Sequence, residues 1–476
     1  MTVIAPTKKY VSTTNACKLC RPMGAALAFR GIEGTVPFLH GSQGCATYMR
    51  RYIISHYNEP IDIASSSLGE KSAIFGGGPN LKKGIVNVTA KYRPRMIGIA
   101  TTCLTETIGD DVPMILHELR REVANPEALP LLVQVSTPSY SGTHMEGFHG
   151  AVRAVIGQLV GQADDLADDL ADEQADEQTD DLAAGPIQMV NLLPGFVSPA
   201  DIRHLKEMVA DFGLAATVLP DISETLDGPA LLDYPLIPAG GTPLAAIRVM
   251  GKAGATIELG STLDEATSAG ALLRAKTSVP LHRLDLPIGI MATDRLLARL
   301  ATISGQPIPE KYRAERGRLV DGLVDGHKYV SGKRAVVYGE EDLVVGLTAF
   351  LAEIGVRPVL CASGGRSGRL AAAIRAATGD ILVEQPRVYE GADFFEIAEQ
   401  AEQLAPDLLV GHGKGYTLAR KLNIPLIRVG FPIHDRIGGQ RLLHVGFQGA
   451  MALFDRIANG LIEKKQADSG VGYSYM

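Results

Sequence analysis

Nowhere in this 476-residue chain do 18 apolar residues run uninterrupted, and a membrane-spanning helix needs roughly that many. The first residues, MTVIAPTKKYVSTTNACK, carry neither the apolar core nor the small-residue cleavage site of a secretory signal. Together these absences predict a soluble, cytoplasmic protein with no membrane partner. A basic surplus is missing as well: 46 Lys and Arg face 53 Asp and Glu, for a net charge of −7. Phosphate backbones demand a Lys/Arg-rich face, so no nucleic-acid partner is expected. No G-x-x-x-x-G-K-[ST] loop occurs, which excludes a P-loop ATPase within the chain. Cysteine is scarce, and of the five present four lie before residue 104, a distribution that a disulfide-stapled secreted scaffold would not need. Reduced thiols in a cytosol read instead as metal ligands or core residues.

What is there is globular in composition, 46% hydrophobic and 21% charged, so disorder is a local question only. The length exceeds what one hydrophobic core supports, which predicts about two to four domains. Short β-rich runs alternate with amphipathic helical stretches, the signature of α/β units around parallel sheets. Three blocks show it. Residues 1–185 contain RMIGIATT (95–102) and LPLLVQVS (129–136). Residues 186–300 contain IQMVNLLPG, a helix in SPADIRHLKEMVADFG, and the strand LAATVLP. Residues 301–476 repeat the scheme with RAVVYGEE, LVVGLTAFLAEIG, RPVLCAS, DILVEQ and DLLVGHG. Between the first two blocks, residues 164–181 hold ten acids and no base. Acids paired every fourth residue repel along a helix, so this segment reads as a solvated linker with frayed helix.

Ligands of open parallel sheets collect beyond the carboxyl ends of the strands, and Cys103 directly follows one such strand. Three segments carry the chemistry: NACKLCRPMGAALAFRGI, FLHGSQGCATYMRRYIISH and IGIATTCLTETIGDDVP. Each places a cysteine, Cys20, Cys45 or Cys103, at a loop-to-helix junction. The positive end of a helix lowers a thiol's pKa and favours metal ligation, which predicts three poised thiolates. Gly41 and Gly44 should let backbone approach a bulky inorganic cluster. Iron–sulfur clusters usually take about four thiolates, so three leave a shortfall that either Cys17 or a second chain must fill. Cys17 and Cys20 form a C-x-x-C, open to reading as a redox pair, half a zinc site or chance. Cys361, after the strand RPVL, reads as a core thiol.

Taken in order, CRPMGA, HGSQGC, SAIFGGGPNLKKGI, TTCLTETIGDDVP, STPSYSGTH and GHGKGYTLARKLNIPLIRVGFPIHDR, then VGFQGAMALFDRIANGL, resemble the β-type subunits of the nitrogenase component 1 family across nearly the whole chain. The resemblance implies an α/β fold of three Rossmann-like lobes with parallel sheets. It implies that Cys20, Cys45 and Cys103 bind this subunit's half of an interfacial P-cluster of the [8Fe-7S] type, an α-type partner supplying the rest. Ser139 matches a serine that ligates the oxidised cluster in some relatives, while Cys17 has no counterpart in the ligand set. The implied assembly is an α2β2 heterotetramer served by an ATP-dependent iron protein homodimer. The active-site metallocluster belongs to the α-type chain, so no catalytic residue is expected here. His412 and His434 read as structural or interface histidines, because nothing in the sequence supplies the cysteine of a cofactor site. Within the family the complete cysteine set leans toward a full electron relay rather than a scaffold, and the first reading is methylthio-alkane reductase, which cleaves C–S bonds and releases methanethiol for sulfur acquisition. The alternatives are the β-like subunit of the iron–molybdenum cofactor assembly scaffold, dinitrogenase, and the dark-operative protochlorophyllide reductases; outside the family stands a non-catalytic interaction protein. Dinitrogenase is disfavoured on the ground that only 19 residues precede Cys20, where typical dinitrogenase β subunits carry a longer extension.

Overall fold

The computed structural model describes residues 16–161 and 188–471; the acidic run 164–181 lies outside them. Three separate sheets form, and every pairing between their strands is parallel. The first holds β1 (Thr35–His40), β2 (Ala64–Ser65), β3 (Met96–Thr101) and β4 (Leu131–Val135), in the order β2-β1-β3-β4. The second holds β5 (Gln188–Leu193), β6 (Leu214–Val218), β7 (Ala255–Leu259) and β8 (Leu281–Leu284), in the order β6-β5-β7-β8. The third holds β9 (Arg334–Gly339), β10 (Arg357–Ser363), β11 (Arg387–Glu390), β12 (Leu408–Gly411) and β13 (Leu426–Arg428), in the order β11-β10-β9-β12-β13. Helices connect the strands and cover the sheets, so β1 and β3 are buried at every position. That is why TVPFLH and MIGIAT read as apolar runs rather than alternating strands.

One expected strand is absent. DILVEQ is an irregular segment in which Ile381 and Val383 are exposed and Glu384 pairs with Arg357 at 2.6 Å. The edge beside β10 is taken instead by Arg387–Glu390, in register from Leu360↔Arg387 to Ser363↔Glu390. That strand begins just after Pro386, which has no N–H to give a ladder. Among the described residues no helix is long and apolar enough to cross a membrane.

The second sheet's unit is locked to the C-terminal helix through one buried carboxylate. Ser198 caps the helix Pro199–Ala210, and Asp201 completes the reciprocal capping box. The same Asp201 accepts hydrogen bonds from the backbone N–H of His444 (2.6 Å) and Val445 (3.1 Å) and from His444 Nδ1 (2.9 Å). Burial alone would raise the Asp201 carboxyl, but His444 and these N–H groups outweigh it and hold it below the usual range. A depressed carboxyl stabilises the fold at every pH above the unfolded value of about 3.9, and that contribution fades as pH falls through the folded value. Asp201→Ala strips three buried donors of their acceptor and should cost about 3–5 kcal/mol, read as a lowered denaturant midpoint at pH 7. The gap between variant and wild type should narrow in acid; a constant gap down to pH 2 would show that Asp201 acts by packing alone.

Candidate metal centre

Strand order delivers the candidate residues to one place. β1, β3 and β4 are adjacent, with His40 opposite Thr101 and Ala100 opposite Val135. Their carboxyl ends run into the loops that carry Cys45, Cys103 and Ser139, respectively. Cys45 lies in the first turn of the helix Gln43–Tyr57 and Cys103 opens the helix Cys103–Ile108. Cys20 arrives from the other direction as the N-cap of the helix Arg21–Arg30, with Pro22 in its first turn. Each thiol thus stands at or just inside a helix N-terminus.

Ser139 links them. Its backbone N–H donates to Cys103 Sγ at 3.3 Å, and its hydroxyl accepts from the Arg21 N–H at 3.1 Å while also hydrogen-bonding the Cys20 thiolate. Cys45 Sγ accepts from the Ser42 hydroxyl at 3.4 Å. The Cys20 thiol is raised above its ordinary value, first by burial, with Ser139 opposing and the charges of Cys103 and Cys45 adding. The direction is opposite to the one expected at a helix N-terminus: Cys20 lies at the surface, yet the chain crowded around its sulfur and the two neighbouring thiols raise it. The mutual repulsion also shows that the three sulfurs share one neighbourhood. Among the described residues, however, no three His, Cys, Asp or Glu side chains stand close enough to grip a single metal ion.

The two glycines of HGSQGC have different tasks. A Cβ on Gly41 would lie 2.2 Å from Thr102 Oγ1, so Gly41 serves packing against β3's loop, not approach to a ligand. At Gly44 nothing comes nearer than Ser42 Oγ at 4.0 Å, which leaves that face open. His40, Ser66 and Asp110 brace the loops behind the thiols. His40 contacts Ser66 Oγ through Nδ1 (2.9 Å) and Asp110 through Nε2 (3.0 Å), and Asp110 accepts the Gly77 N–H with both oxygens at 3.0 Å. These three were not singled out from sequence, although His40 and Asp110 stand inside the quoted motifs; their partners lie 26 to 70 residues away.

The remaining candidates separate cleanly. Cys361 is fully buried against Thr348 Oγ1 at 3.2 Å, and burial pushes its thiol up to about 12. Cys17 is buried too and pushed up to about 12 by desolvation. Its Sγ lies 3.7 Å from His412 Nε2, a contact that the sequence did not point to. With no third ligand beside it among the described residues, this pair is a packed thiol–imidazole contact, flanked by Tyr338 and Phe394. His434 contacts the Tyr52 carbonyl at 3.2 Å and rests against its ring.

The pattern of the nitrogenase component 1 type oxidoreductases matches residues 20–462. The chain belongs to that family. It is 34% identical to the nitrogenase molybdenum–iron protein beta chain of Clostridium pasteurianum, over 94% of this chain and 93% of that one. It is 33% identical to the nitrogenase iron–molybdenum cofactor biosynthesis protein NifN of Bradyrhizobium diazoefficiens, over 97% of this chain and 91% of the relative. In structure it superposes on a chain of nitrogenase Cp1 at pH 6.5 with a TM-score of 0.89 at 32% identity, covering 99% of this chain and 98% of the other. A chain of nitrogenase Cp1 at pH 5 shares the fold with a TM-score of 0.69 at 16% identity.

Proposed function

We propose that this chain is the β-type subunit of a nitrogenase-like reductase, with Cys20, Cys45 and Cys103 holding its half of a P-cluster-type [8Fe-7S] cluster shared with an α-type subunit. The observation that carries this reading is the gathering on one rim of Cys45, Cys103 and Ser139, from the ends of adjacent parallel strands, with Cys20 from the turn before the first helix. The donor set fits such a group. Cys20 and Cys103 are exposed and Cys45 half-buried, so the sulfurs face outward, where a partner can complete the ligand set. Thiols too far apart for one ion suit different irons of a larger cluster. Ser139 is the additional donor in this reading. When bound, the cluster supplies one-electron relay between an ATP-dependent iron protein and the metallocluster of the α-type chain. The residues here hold the sulfurs in place and tune them: the Ser139 N–H and the Ser42 hydroxyl donate to sulfur and so stabilise negative charge on it.

Apolar side chains surround this rim uncovered. Tyr48 follows Cys45 by one helical turn, Tyr140 adjoins Ser139, and Ile74 and Phe75 end the helix Glu70–Phe75, which packs on the helix Cys103–Ile108; all four are 66–83% exposed. Large apolar side chains left exposed beside the thiols suit a partner surface, and the proposed assembly is α2β2. Expressed alone, the chain should self-associate or precipitate; co-expressed with the α-type chain, it should elute as a heterotetramer in size-exclusion chromatography. A stable iron-free monomer would count against the shared site.

For the reaction of the assembled complex we propose reductive C–S cleavage of methylthio-alkanes with release of methanethiol; the complete cysteine set supports a full electron relay, as a terminal reductase needs, over a scaffold. The second reading is a cofactor-assembly scaffold, favoured by the 33% identity to NifN; reduction of dinitrogen follows from the 34% identity to the clostridial beta chain. The heterotetramer, purified anaerobically with its iron protein, ATP and a reductant, decides among them. ATP-dependent methanethiol release supports the first reading, ammonia formation from dinitrogen replaces it, and transfer of a metallocluster to cofactor-free dinitrogenase without turnover makes the protein a scaffold. A complex that binds no metal and does none of these leaves an interaction protein.

A further inference from the structure

The GHGK loop after β12 has no part in the site as described, yet it reaches across to the turn that carries Cys20. Lys414 Nζ donates to the carbonyl oxygens of Ala16 (3.1 Å) and Lys18 (3.3 Å), on either side of Cys17. Cys17 itself is buried, its sulfur against His412 and its carbonyl over Gly364, where a Cβ would come within 2.4 Å. Ala16 forms an isolated bridge to Asp393, and Leu19 exchanges two hydrogen bonds with His144, at 3.1 and 3.2 Å. Every residue from Ala16 to Leu19 is therefore held by a hydrogen bond or a buried contact, and Cys20 is the next.

Two features make Lys414 more than a strut. Among the described residues both of its hydrogen bonds go to carbonyls, and no contacting carboxylate cancels the ammonium charge. It is also half-buried, where a charge acts over a longer range than in water. Its ammonium interacts with the charges of Cys17 and Cys20, and Glu340, which also acts on it, is engaged by His144 Nε2 at 2.8 Å.

We propose that Lys414 is a positioning residue that fixes the Ala16–Cys20 turn and, through its positive charge, favours the reduced state of the cluster held by Cys20. This rests on the cluster reading above. The test uses the co-purified heterotetramer carrying Lys414→Met or Lys414→Arg, with iron analysis and an EPR-monitored redox titration of the relay cluster. Removing a cation beside an electron acceptor makes its reduction harder. Lys414→Met should therefore retain iron and shift the midpoint to a more negative potential, and Lys414→Arg should restore the wild-type midpoint. A methionine variant with wild-type iron and wild-type midpoint overturns the proposal, as does an arginine variant shifted as far as the methionine one. Should the methionine variant lose its iron, the arginine variant decides: full iron at the wild-type midpoint supports the proposal, and loss in both overturns it. An iron-free wild-type heterotetramer would instead refute the cluster reading itself, so the two failures are distinct.

Discussion

Cys45→Ala should strip the relay cluster's iron from the assembled complex and abolish ATP-dependent electron transfer, while Cys361→Ala should leave both near wild type. The two substitutions remove the same atom from very different places. Cys45 sits at the first turn of its helix with its sulfur half-exposed, on the rim that Cys20, Cys103 and Ser139 share. In the proposed reading its loss leaves two thiolates where three already depended on a partner. Cys361 is sealed inside β10, its thiol neutral at any physiological pH, and touches only protein. Replacing it leaves a small void, on the order of 1 kcal/mol of stability. Iron and sulfide analysis of the two purified variants, with EPR of the reduced and oxidised states, separates the outcomes. Equal iron loss in both would mean that the thiols matter to folding rather than to ligation, and the assignment would fall.

The parts of this site that could be read from sequence are those in which local chemistry and fold agree. Cys103 follows an apolar run too short for a buried helix and ends up beyond the carboxyl end of β3, where parallel sheets collect function. Ser139 was visible only through resemblance, because its role depends on β4 lying next to β3, and no local pattern encodes that adjacency. The same limit hid Cys17. Its partner His412 is 395 residues away, and a C-x-x-C invites a local explanation that the fold does not use.

Two expectations failed for energetic reasons. A helix N-terminus favours a thiolate by only about 0.3–1 kcal/mol, too little at Cys20 against desolvation and two neighbouring thiols. DILVEQ has the residue types of a strand, but β-propensity reports fit to a half-buried pleated surface. With the edge of β10 occupied by Arg387–Glu390, Val383 projects into water. Gly41 failed differently: a glycine four residues before Cys45 looked like room for a ligand, and the room is filled by Thr102.

Gly24→Ala should disable the protein more severely than any substitution at the rim, and the reason lies in how Cys20 is placed. The helices Arg21–Arg30 and His144–Leu159 cross with their backbones in contact. An alanine methyl at Gly24 would lie 1.6 Å from the His144 carbonyl oxygen and 2.7 Å from the Phe148 nitrogen; one at Gly147 would lie 1.8 Å from the Arg21 carbonyl oxygen. These neighbours are backbone atoms inside helices, so no rotamer change relieves the clash and the helices must move apart. Overpacking a core ordinarily costs about 1–3 kcal/mol; a backbone clash from each side of the crossing should exceed that range. The first helix is capped by Cys20, while the second begins just after Ser139 and sends His144 to Leu19 and Glu340. Separation therefore pulls Cys20 away from Ser139 and Cys103 together with the loss of stability. Gly150 on the same helix is the control: a methyl there meets only Val135 Cγ2 at 3.7 Å, and alanine is favoured over glycine in a helix by about 1 kcal/mol. Gly150→Ala should hold or raise the denaturant midpoint with full iron, whereas Gly24→Ala and Gly147→Ala should each fail to yield soluble, iron-loaded heterotetramer. Were Gly24→Ala to fold and load normally, the crossing would be looser than its geometry requires, and Cys20 would owe its position to the contacts of the Ala16–Leu19 turn instead.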